Sequence, residues 1–369
     1  MLIFFKKRLT WEKRKLADIL SVNGGRDYKH LKIGPIPVYG TGGYMLSVNQ
    51  ALSEKDGIGI GRKGTIDSPF ILRAPYWTVD TLFYAIPNSS SSLGFLYAIF
   101  QRIPWKKLDE STGVPSLSKQ IINSVEVKIP QTEEQTKIGS FFKSLDDLIT
   151  VNQRKLNTLK KLKKSYLQKM FPQNGSEFPE LRFAGFTTPW EKRKLGEFLL
   201  ESREAGTNGL TAKKLTVKLW GKGVVAKSTT YDGSIATKYY IRHAGQLMYG
   251  KLDFVHAAFG IVPKNLDGYE STLDSPAFDI HDLNPTFLLK KIQQKNFYLY
   301  QGMIANGSRK AKRIHVDTFL NMTILAPSLR EQTKIGNFFK SLEKTISVNQ
   351  RKLDALKKLK QGYLQKMFC

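Results

Sequence analysis

The chain has 369 residues, and its 58 Lys and Arg residues outnumber 31 Asp and Glu residues to give a formal net charge of +27. So large an excess of positive charge predicts a polyanionic partner, with nucleic acid favoured over a membrane surface or an acidic protein. The one cysteine, Cys369, excludes a disulfide framework and a thiolate metal cluster. The length permits roughly two or three domains of ordinary size.

The chain begins with an apolar segment, Met1–Phe5, which is followed by the basic residues Lys6, Lys7 and Arg8. A secretory signal has the opposite order, with its positive charge before its apolar run. No run of about 18 apolar residues occurs anywhere, as a membrane-spanning helix would require. We therefore expect a soluble, intracellular protein with no membrane partner.

A short repeat marks the start of each half of the chain, because Trp11–Leu16 and Trp190–Leu195 have the same sequence. Unlike sequence follows the two copies, over about residues 21–130 and 200–328, and we call these stretches the variable blocks. Pro179–Phe183 precedes the second copy and has no counterpart before the first.

The first variable block contains glycine-rich turns between short apolar runs, which predict short strands and exposed loops. Arg62 and Lys63 stand between two glycines, where the backbone lets their side chains approach a phosphate or a base edge. Aromatic residues are interleaved with these turns, and the alternative for each is a place in the core. The candidate nucleic-acid contacts in this half are Tyr39, Thr41, Tyr44, Arg62, Lys63, Thr65 and Ser116.

A long repeat follows each block, at residues 134–171 and 331–368, and its two copies differ at nine of 38 positions. Apolar residues recur about every 3.5 residues in both copies, a period that predicts a coiled-coil seam. Matching seams favour antiparallel pairing of the two helices, and the alternative is that each helix packs only on its own block. The predicted seam residues are Leu145, Ile149, Asn152, Leu156, Leu159, Leu342, Ile346, Asn349, Leu353 and Leu356.

The whole order is therefore short repeat, variable block and long repeat, given twice, with the turn-rich segment Pro172–Ser176 between the halves. This order predicts an α+β fold with two globular mixed α/β domains, two long antiparallel coiled-coil helices and an internal pseudo-two-fold repeat. We place the domains at 1–130 and 190–329, the helices at 131–171 and 330–369, and a linker at 172–189.

The second variable block has two candidate contact regions. The first contains Tyr249 and Lys251 in a Tyr-Gly-Lys sequence. The second is the densest charge cluster of either block, beside a Gly-Ser turn, and its alternative is a solvated helix start. Its candidate contacts are Ser308, Arg309, Lys310, Lys312 and Arg313.

Two motifs resemble catalytic ones but depart from them. Gly221–Ser228 is one residue short of a phosphate-binding P-loop, because Ala226 stands where the second glycine belongs. Asn284–Phe287 resembles the Asn-Pro-Pro-Phe box of adenine methyltransferases, but Thr286 replaces a proline. The five histidines are scattered without metal-ligand spacing. We therefore expect no catalytic residue, no metal site and no enzymatic activity in this chain.

The layout of two unlike blocks, each followed by a near-identical helix, resembles the specificity subunit of type I restriction–modification systems over essentially the whole chain. Five features carry this resemblance; each is weak alone, but together they are specific for the family. They are the helix repeats, Pro179–Phe183 with Trp190–Leu195, Val38–Tyr44, Gly61–Thr65 and Gly307–Arg313.

The resemblance implies that each variable block is a target recognition domain that reads one half of a split double-stranded DNA site. It also implies that the helices dock methyltransferase subunits, which bind S-adenosylmethionine, and that a separate restriction/translocase subunit uses ATP and Mg. This chain would then bind no cofactor and would supply sequence choice in host defence against foreign DNA, in the bacterial cytoplasm. The alternative is a basic RNA-binding or scaffold protein without a restriction role.

Overall fold

A computed structural model describes residues 11–109, 111–173, 175–228, 234–304 and 313–368. The chain divides into two compact units: unit 1 is Met1–Lys155 with Asn349–Cys369, and unit 2 is Leu156–Val348. Both boundaries fall inside the long helices, so each unit contains one variable block and a segment of both helices. Within the described ranges, no helix is long and apolar enough to cross a membrane.

The described residues of unit 1 form nine short strands and three short helices before the first long helix begins. In chain order they are β1 (Glu12–Lys15), α1 (Leu16–Ile19), β2 (Leu20–Gly24), β3 (Ile33–Gly40), β4 (Gly43–Val48), β5 (Gly57–Gly61), β6 (Phe70–Leu72), β7 (Trp77–Thr78), β8 (Leu82–Pro87), α2 (Leu93–Arg102), α3 (Lys119–Ser124), β9 (Glu126–Ile129) and the long α4 (Thr132–Lys169). The strands form three sheets, in the orders β1-β9, β2-β8-β5-β6 and β4-β3-β7. The main core packs the four-stranded sheet and α2 against the long helices.

Unit 2 repeats this plan with different strands. Its elements are β10 (Glu191–Lys194), β11 (Leu199–Ser202), β12 (Ala205–Asn208), β13 (Leu215–Lys218), β14 (Gly223–Ala226), β15 (Lys238–Arg242), β16 (Leu247–Tyr249), β17 (Phe259–Ile261), β18 (Tyr269–Ser271), β19 (Ala277–Ile280), α5 (Pro285–Ile292), α6 (Lys295–Ile304), α7 (Val316–Asn321), β20 (Thr323–Ala326) and the long α8 (Leu329–Met367). The sheets have the orders β10-β20, β11-β19-β16-β17, β12-β15-β18 and β13-β14. This mixture of helices and sheets in two units confirms the predicted α+β class.

The short repeat has the same structural role in both units. It forms one strand of a two-stranded antiparallel sheet, β1-β9 in unit 1 and β10-β20 in unit 2, which we call the support sheet. The other strand comes from the residues just before the long helix. The residue after each repeat strand bonds to the far end of the variable block, Leu16 N to Val125 O and Leu195 N to Met322 O, both at 2.9 Å. The repeat therefore joins the two ends of its block.

The long helices pair in antiparallel fashion, as predicted. Within each unit, the N-terminal part of one helix contacts the C-terminal part of the other. The contacts are Phe141 with Tyr363 (5.1 Å between ring centroids) and Asp146 with Lys360 in unit 1, and Tyr166 with Phe338 (5.0 Å) and Lys163 with Glu343 in unit 2. All ten predicted seam residues are buried or half-buried.

A phenylalanine at the end of each long helix closes one core. Phe368 follows α8 and lies in unit 1, and Phe171 follows α4 and lies in unit 2. Each meets the tryptophan of a short repeat and two further rings. The partners are Trp11 (5.9 Å), Phe95 (5.6 Å) and Phe142 (6.0 Å) for Phe368, and Trp190 (6.0 Å), Phe287 (5.4 Å) and Phe339 (6.1 Å) for Phe171. Each core therefore depends on the helix that begins in the other unit.

Both long helices carry a glycine, Gly139 and Gly336, where a residue of the variable block lies close to the helix. A Cβ on Gly139 would lie 2.7 Å from Phe95 N at the start of α2, and one on Gly336 would lie 2.3 Å from Asn284 Oδ1 at the start of α5. These glycines therefore serve close packing, although glycine inside a helix costs about 0.5–1 kcal/mol relative to alanine.

We expect Gly139→Ala to destabilise the protein by about 1–3 kcal/mol, because the backbone of α2 must move to accept the methyl group. Gly362, near the end of α8, provides the matched control, since no described residue outside its own helix backbone lies within 4 Å of the position that a Cβ would take there. Gly362→Ala should instead stabilise the protein by up to about 1 kcal/mol through helix propensity. Thermal unfolding measures both effects, and equal stabilisation by the two substitutions would contradict the packing argument.

Candidate nucleic-acid interface

The structure brings Arg62, Lys63 and Ser116 together around one groove in unit 1. The groove has a volume of about 500 Å³, and Lys119 also lines it. Two loops that are distant in sequence build it, since Lys63 and Ser116 form an antiparallel bridge and Leu117 N donates to Arg62 O at 2.9 Å. Three candidates chosen separately from the sequence therefore belong to one surface.

The shape of this groove depends on a tight turn after β5. A Cβ on Gly61 would lie 2.1 Å from Thr65 O, so only glycine permits this close approach. Gly64 has φ +86°, a conformation that favours glycine, and its N–H donates to Pro115 O at 2.8 Å. Thr65 is exposed beside the groove. The turn thereby fixes the backbone of Arg62 and Lys63.

Asp109 holds the opposite side of the groove and was missed by the sequence analysis. Its Oδ1 accepts hydrogen bonds from Ser116 N at 3.0 Å and from the N–H and hydroxyl of Ser111 at 3.0 and 2.7 Å. These bonds, that of Ser116 N–H foremost, lower the pKa of Asp109. The sequence signal was the Asp-x-Ser spacing, which is typical of a side chain that caps its own turn.

The cations of this groove are exposed. In the described part of the chain, no carboxylate forms an ion pair with Arg62 or Lys63. The Arg62 guanidinium lies over the Phe83 ring at 5.8 Å, and its Nη1 donates to Asp80 O at 3.4 Å. Such positive charges attract phosphate, and the Arg62 guanidinium can also bond a base edge.

The other three candidates of this half lie on the β3-β4 hairpin. Tyr44 is 64% exposed, and its hydroxyl is 3.2 Å from Ser47 Oγ. Tyr39 is half-buried, and its ring contacts those of Tyr44 (6.4 Å) and Phe70 (6.0 Å). Thr41 is half-buried in the hairpin turn. Tyr44 is therefore the member of this group that is free to contact a ligand, whereas Tyr39 supports it.

In unit 2, Tyr249 is a core residue and the prediction of a DNA contact there is wrong. It lies in β16, inside the four-stranded sheet, with no exposed surface. Its hydroxyl donates to Ile314 O at 3.0 Å, and its ring packs on Phe278 and Phe319. Burial raises the pKa of this hydroxyl. The Tyr-Gly-Lys sequence indicated a turn, but the turn begins only after Tyr249.

The fold of unit 2 brings the candidate contacts Lys251 and Arg313 close together, as expected for residues of one surface. Ile314 N donates to Lys251 O at 2.9 Å, and Lys251 N donates to Asp274 O at 2.9 Å. Arg313 is exposed and forms an ion pair with Asp274 at 3.1 Å. Lys251 is half-buried, and burial lowers its pKa. The remaining candidates of the cluster, Ser308, Arg309, Lys310 and Lys312, lie outside the described residues.

The motifs that resemble catalytic ones have structural roles. Gly221–Ser228 forms a turn and strand β14, not the strand-to-helix turn of a P-loop. Asn284 is the N-cap of α5, where its Oδ1 accepts hydrogen bonds from Thr286 N and Phe287 N at 3.0 Å. Among the described residues, no group of three or more His, Cys, Asp or Glu is placed to hold a metal ion.

Residues 9–161 match the family model of the type I restriction modification DNA specificity domain. The chain is also 24% identical over 327 residues to the type I restriction enzyme MjaVIII specificity subunit of Methanocaldococcus jannaschii, covering 82% of this chain and 73% of the relative. The MjaIX specificity subunit of the same organism is 23% identical over 405 residues, covering 97% and 92%. In these alignments, the chain is similar to specificity subunits of type I restriction–modification systems.

Solved specificity subunits share the fold. The S subunit of a type I restriction–modification system from M. genitalium has a TM-score of 0.67 at 12% identity, over 99% of this chain and 98% of that one. A chain from a study of complex assembly and conformational transition of the type I R-M system has a TM-score of 0.50 at 13% identity, over 99% of both chains. At such low identity, these likenesses concern the fold alone.

We expect Arg62→Gln and Lys63→Gln each to weaken DNA binding, since each removes a cation that has no acidic partner among the described residues. The slope of log K against log salt concentration should become less steep by about one unit, as for the loss of one phosphate contact. Lys137→Gln removes the same charge from an exposed site on α4, where Lys137 pairs with Glu133, and is the control. Fluorescence anisotropy over a salt series measures the slope. If Lys137→Gln reduced the slope equally, the result would contradict the placement of a phosphate contact at the groove.

Proposed function

We propose that this chain is a specificity subunit that reads a bipartite double-stranded DNA target and directs adenine methylation and restriction by partner subunits. The observation that carries the proposal is the presence of two variable blocks on equivalent supports. Both support sheets have the same strand pairing, and both long helices contact their blocks at the same positions. Unlike blocks on like supports are suited to recognising two different half-sites.

Both blocks offer cations to a DNA backbone. Unit 1 presents the exposed Arg62 and Lys63 at its groove, and unit 2 presents Arg313 beside Lys251. Phosphate contacts of this kind position a protein on the duplex, and neighbouring side chains then discriminate between bases. A duplex ligand is favoured over the alternative of RNA because the two-block plan matches a split site, whereas charge alone does not distinguish them.

The long helices are the proposed docking surface for methyltransferase subunits. Each helix repeat carries nine Lys/Arg and three Asp/Glu, for a net charge of +6, and most of these cations lie outside the seam. Paired basic helices repel each other, and an acidic partner surface would offset that repulsion. We assign S-adenosylmethionine, ATP and Mg to the methyltransferase and restriction/translocase subunits, and the chemistry with them.

Co-expression with the methyltransferase of the same system, followed by genome-wide mapping of methylated adenine, tests the proposal. We expect stable co-purification and methylation within one split motif. Exchange of residues 21–130 for the block of another family member should change one half of that motif only. No methylated motif, or tight binding to RNA that duplex DNA fails to displace, would refute the proposal in favour of the RNA-binding alternative.

The helix length is expected to set the gap between half-sites. We propose to insert one heptad into each long helix, between 155 and 156 and between 348 and 349, which keeps the seam in phase. Seven residues lengthen a helix by about 10 Å, the rise of about three base pairs. The mapped gap should therefore grow by about three base pairs.

In the control for this insertion, one native heptad of each long helix is replaced by the seven-residue sequence used for the insertion. The composition of the helices then changes, but their length does not. This control should methylate the original motif. An unchanged gap in a folded and active insertion variant would exclude helix length as the determinant.

A further inference from the structure

The tip of the β13-β14 hairpin in unit 2 holds a tryptophan in an unfavourable backbone conformation. Trp220 has φ +61° and Gly221 has φ +66°, and Lys222 N approaches Leu219 O at 3.4 Å. Two consecutive positive φ angles are typical of a type I′ turn, whose first central position favours Asn, Asp or Gly. A bulky aromatic residue there is an outlier, and such strain is concentrated at functional sites.

This tryptophan is also the most exposed of the five. Trp220 is 60% exposed, whereas Trp77, Trp105 and Trp190 are at most 5% exposed and Trp11 is half-buried. Tryptophan is usually highly buried, because its ring brings a large apolar surface. An exposed ring at a strained turn therefore points to a ligand.

The hairpin presents this ring from a fixed position. Trp220 N donates to His256 O at 2.7 Å, and Gly221 N donates to Ala257 O at 2.9 Å. The indole ring meets the His256 ring edge-to-face at 5.4 Å. Ala257 also has a positive φ, +51°, so two of the three non-glycine residues with positive φ in the described ranges belong to this one contact. Since two backbone bonds hold the tip, a ligand would meet a preorganised side chain.

The charge around the ring indicates what the ligand is. Residues 213–227 contain five lysines and no acidic residue. Lys218 and Lys222 flank the tip and are exposed. Within the described residues, neither forms an ion pair. An apolar ring between two free cations complements a nucleic acid, in which bases lie between phosphates.

The hairpin tip is joined to the candidate surface already described in unit 2. The loop from Lys251 to Ala257 carries the predicted contact Lys251 at one end and His256, the neighbour of Trp220, at the other. Ile314 N bonds to the same loop at Lys251 O. The Trp220 tip and Arg313 therefore flank one loop, and they can serve one ligand.

We propose that Trp220 is a DNA contact of the second variable block, with its ring against a base step of the duplex and Lys218 and Lys222 on the flanking phosphates. The proposal rests on the function proposed above. Apolar side chains that enter a groove act as wedges between base steps, and their effect depends on how easily that step unstacks. Trp220 would thus help to select the sequence of one half-site.

Trp220→Asn is the decisive variant, because asparagine suits the turn that tryptophan strains. We expect a melting temperature equal to or above that of the wild type, together with DNA affinity that is about tenfold weaker for the loss of one stacked ring. Trp220→Phe should retain most of the affinity. Leu329→Ala, at the start of α8 and 49% exposed, removes an exposed apolar side chain from another element and should leave DNA affinity unchanged.

Acrylamide quenching of intrinsic fluorescence gives a direct readout, because Trp220 is the most accessible tryptophan. Duplex DNA containing the target should protect the wild type and should protect Trp220→Asn much less. If the wild type binds the target but Trp220→Asn binds it equally well, the Trp220 contact is refuted and the proposed function stands. If methyltransferase alone gives the protection, Trp220 is a protein contact and the proposal is overturned. If the wild type binds no split target, the proposed function itself fails.

Discussion

The architecture depends on the closure of each core by the helix that begins in the other unit. Phe171 and Phe368 have little or no exposed surface, and each completes a cluster of aromatic rings around the tryptophan of a short repeat. Burial of a phenylalanine stabilises a core by about 1.5–3 kcal/mol. A chain that ended after the first long helix would leave the core of unit 1 without Phe368. The core of each unit is therefore completed by a residue at the far end of a helix that begins in the other unit.

Charged residues on the seam help to fix the register in which the two long helices pair. Lys163 and Lys360 interrupt the apolar positions of the two helices, and each pairs with an acid of the opposite helix, Glu343 and Asp146. Burial alone would raise the pKa of Glu343, but Lys290 and Lys163 lower it. Partly exposed pairs contribute no more than about 1 kcal/mol each. Their larger effect is to disfavour a shifted alignment, which would leave these charges unpaired inside the seam.

The repeats made the long helices and their pairing predictable from the sequence. The structure of the variable blocks was harder to predict. A long apolar period specifies a helix and its buried face, so the ten seam residues could be named in advance. The short strands carry little local signal, and the sequence could not tell that Tyr249 ends a buried strand. Arg62 and Ser116 were separate candidates until the fold joined their loops. Asp109 and Trp220 were missed because their roles depend on one hydrogen-bonded turn and on backbone strain, which composition does not reveal.

Some contacts between the long helices and the variable blocks use main-chain atoms of the block. Gln135 at the start of α4 accepts from Ser92 N at 3.1 Å, and Gln332 at the start of α8 accepts from Asn284 N at 3.0 Å. A main-chain donor is present whatever residue occupies the position, apart from proline. Gly139 likewise lies against the backbone of α2. Because these particular contacts depend little on the side chains of a block, they leave the two blocks some freedom to differ in sequence, whereas Phe95 and Phe287 are constrained by their ring contacts with Phe368 and Phe171. The unlike surfaces, the Arg62 groove in unit 1 and the Trp220 hairpin in unit 2, are the consequence of that freedom.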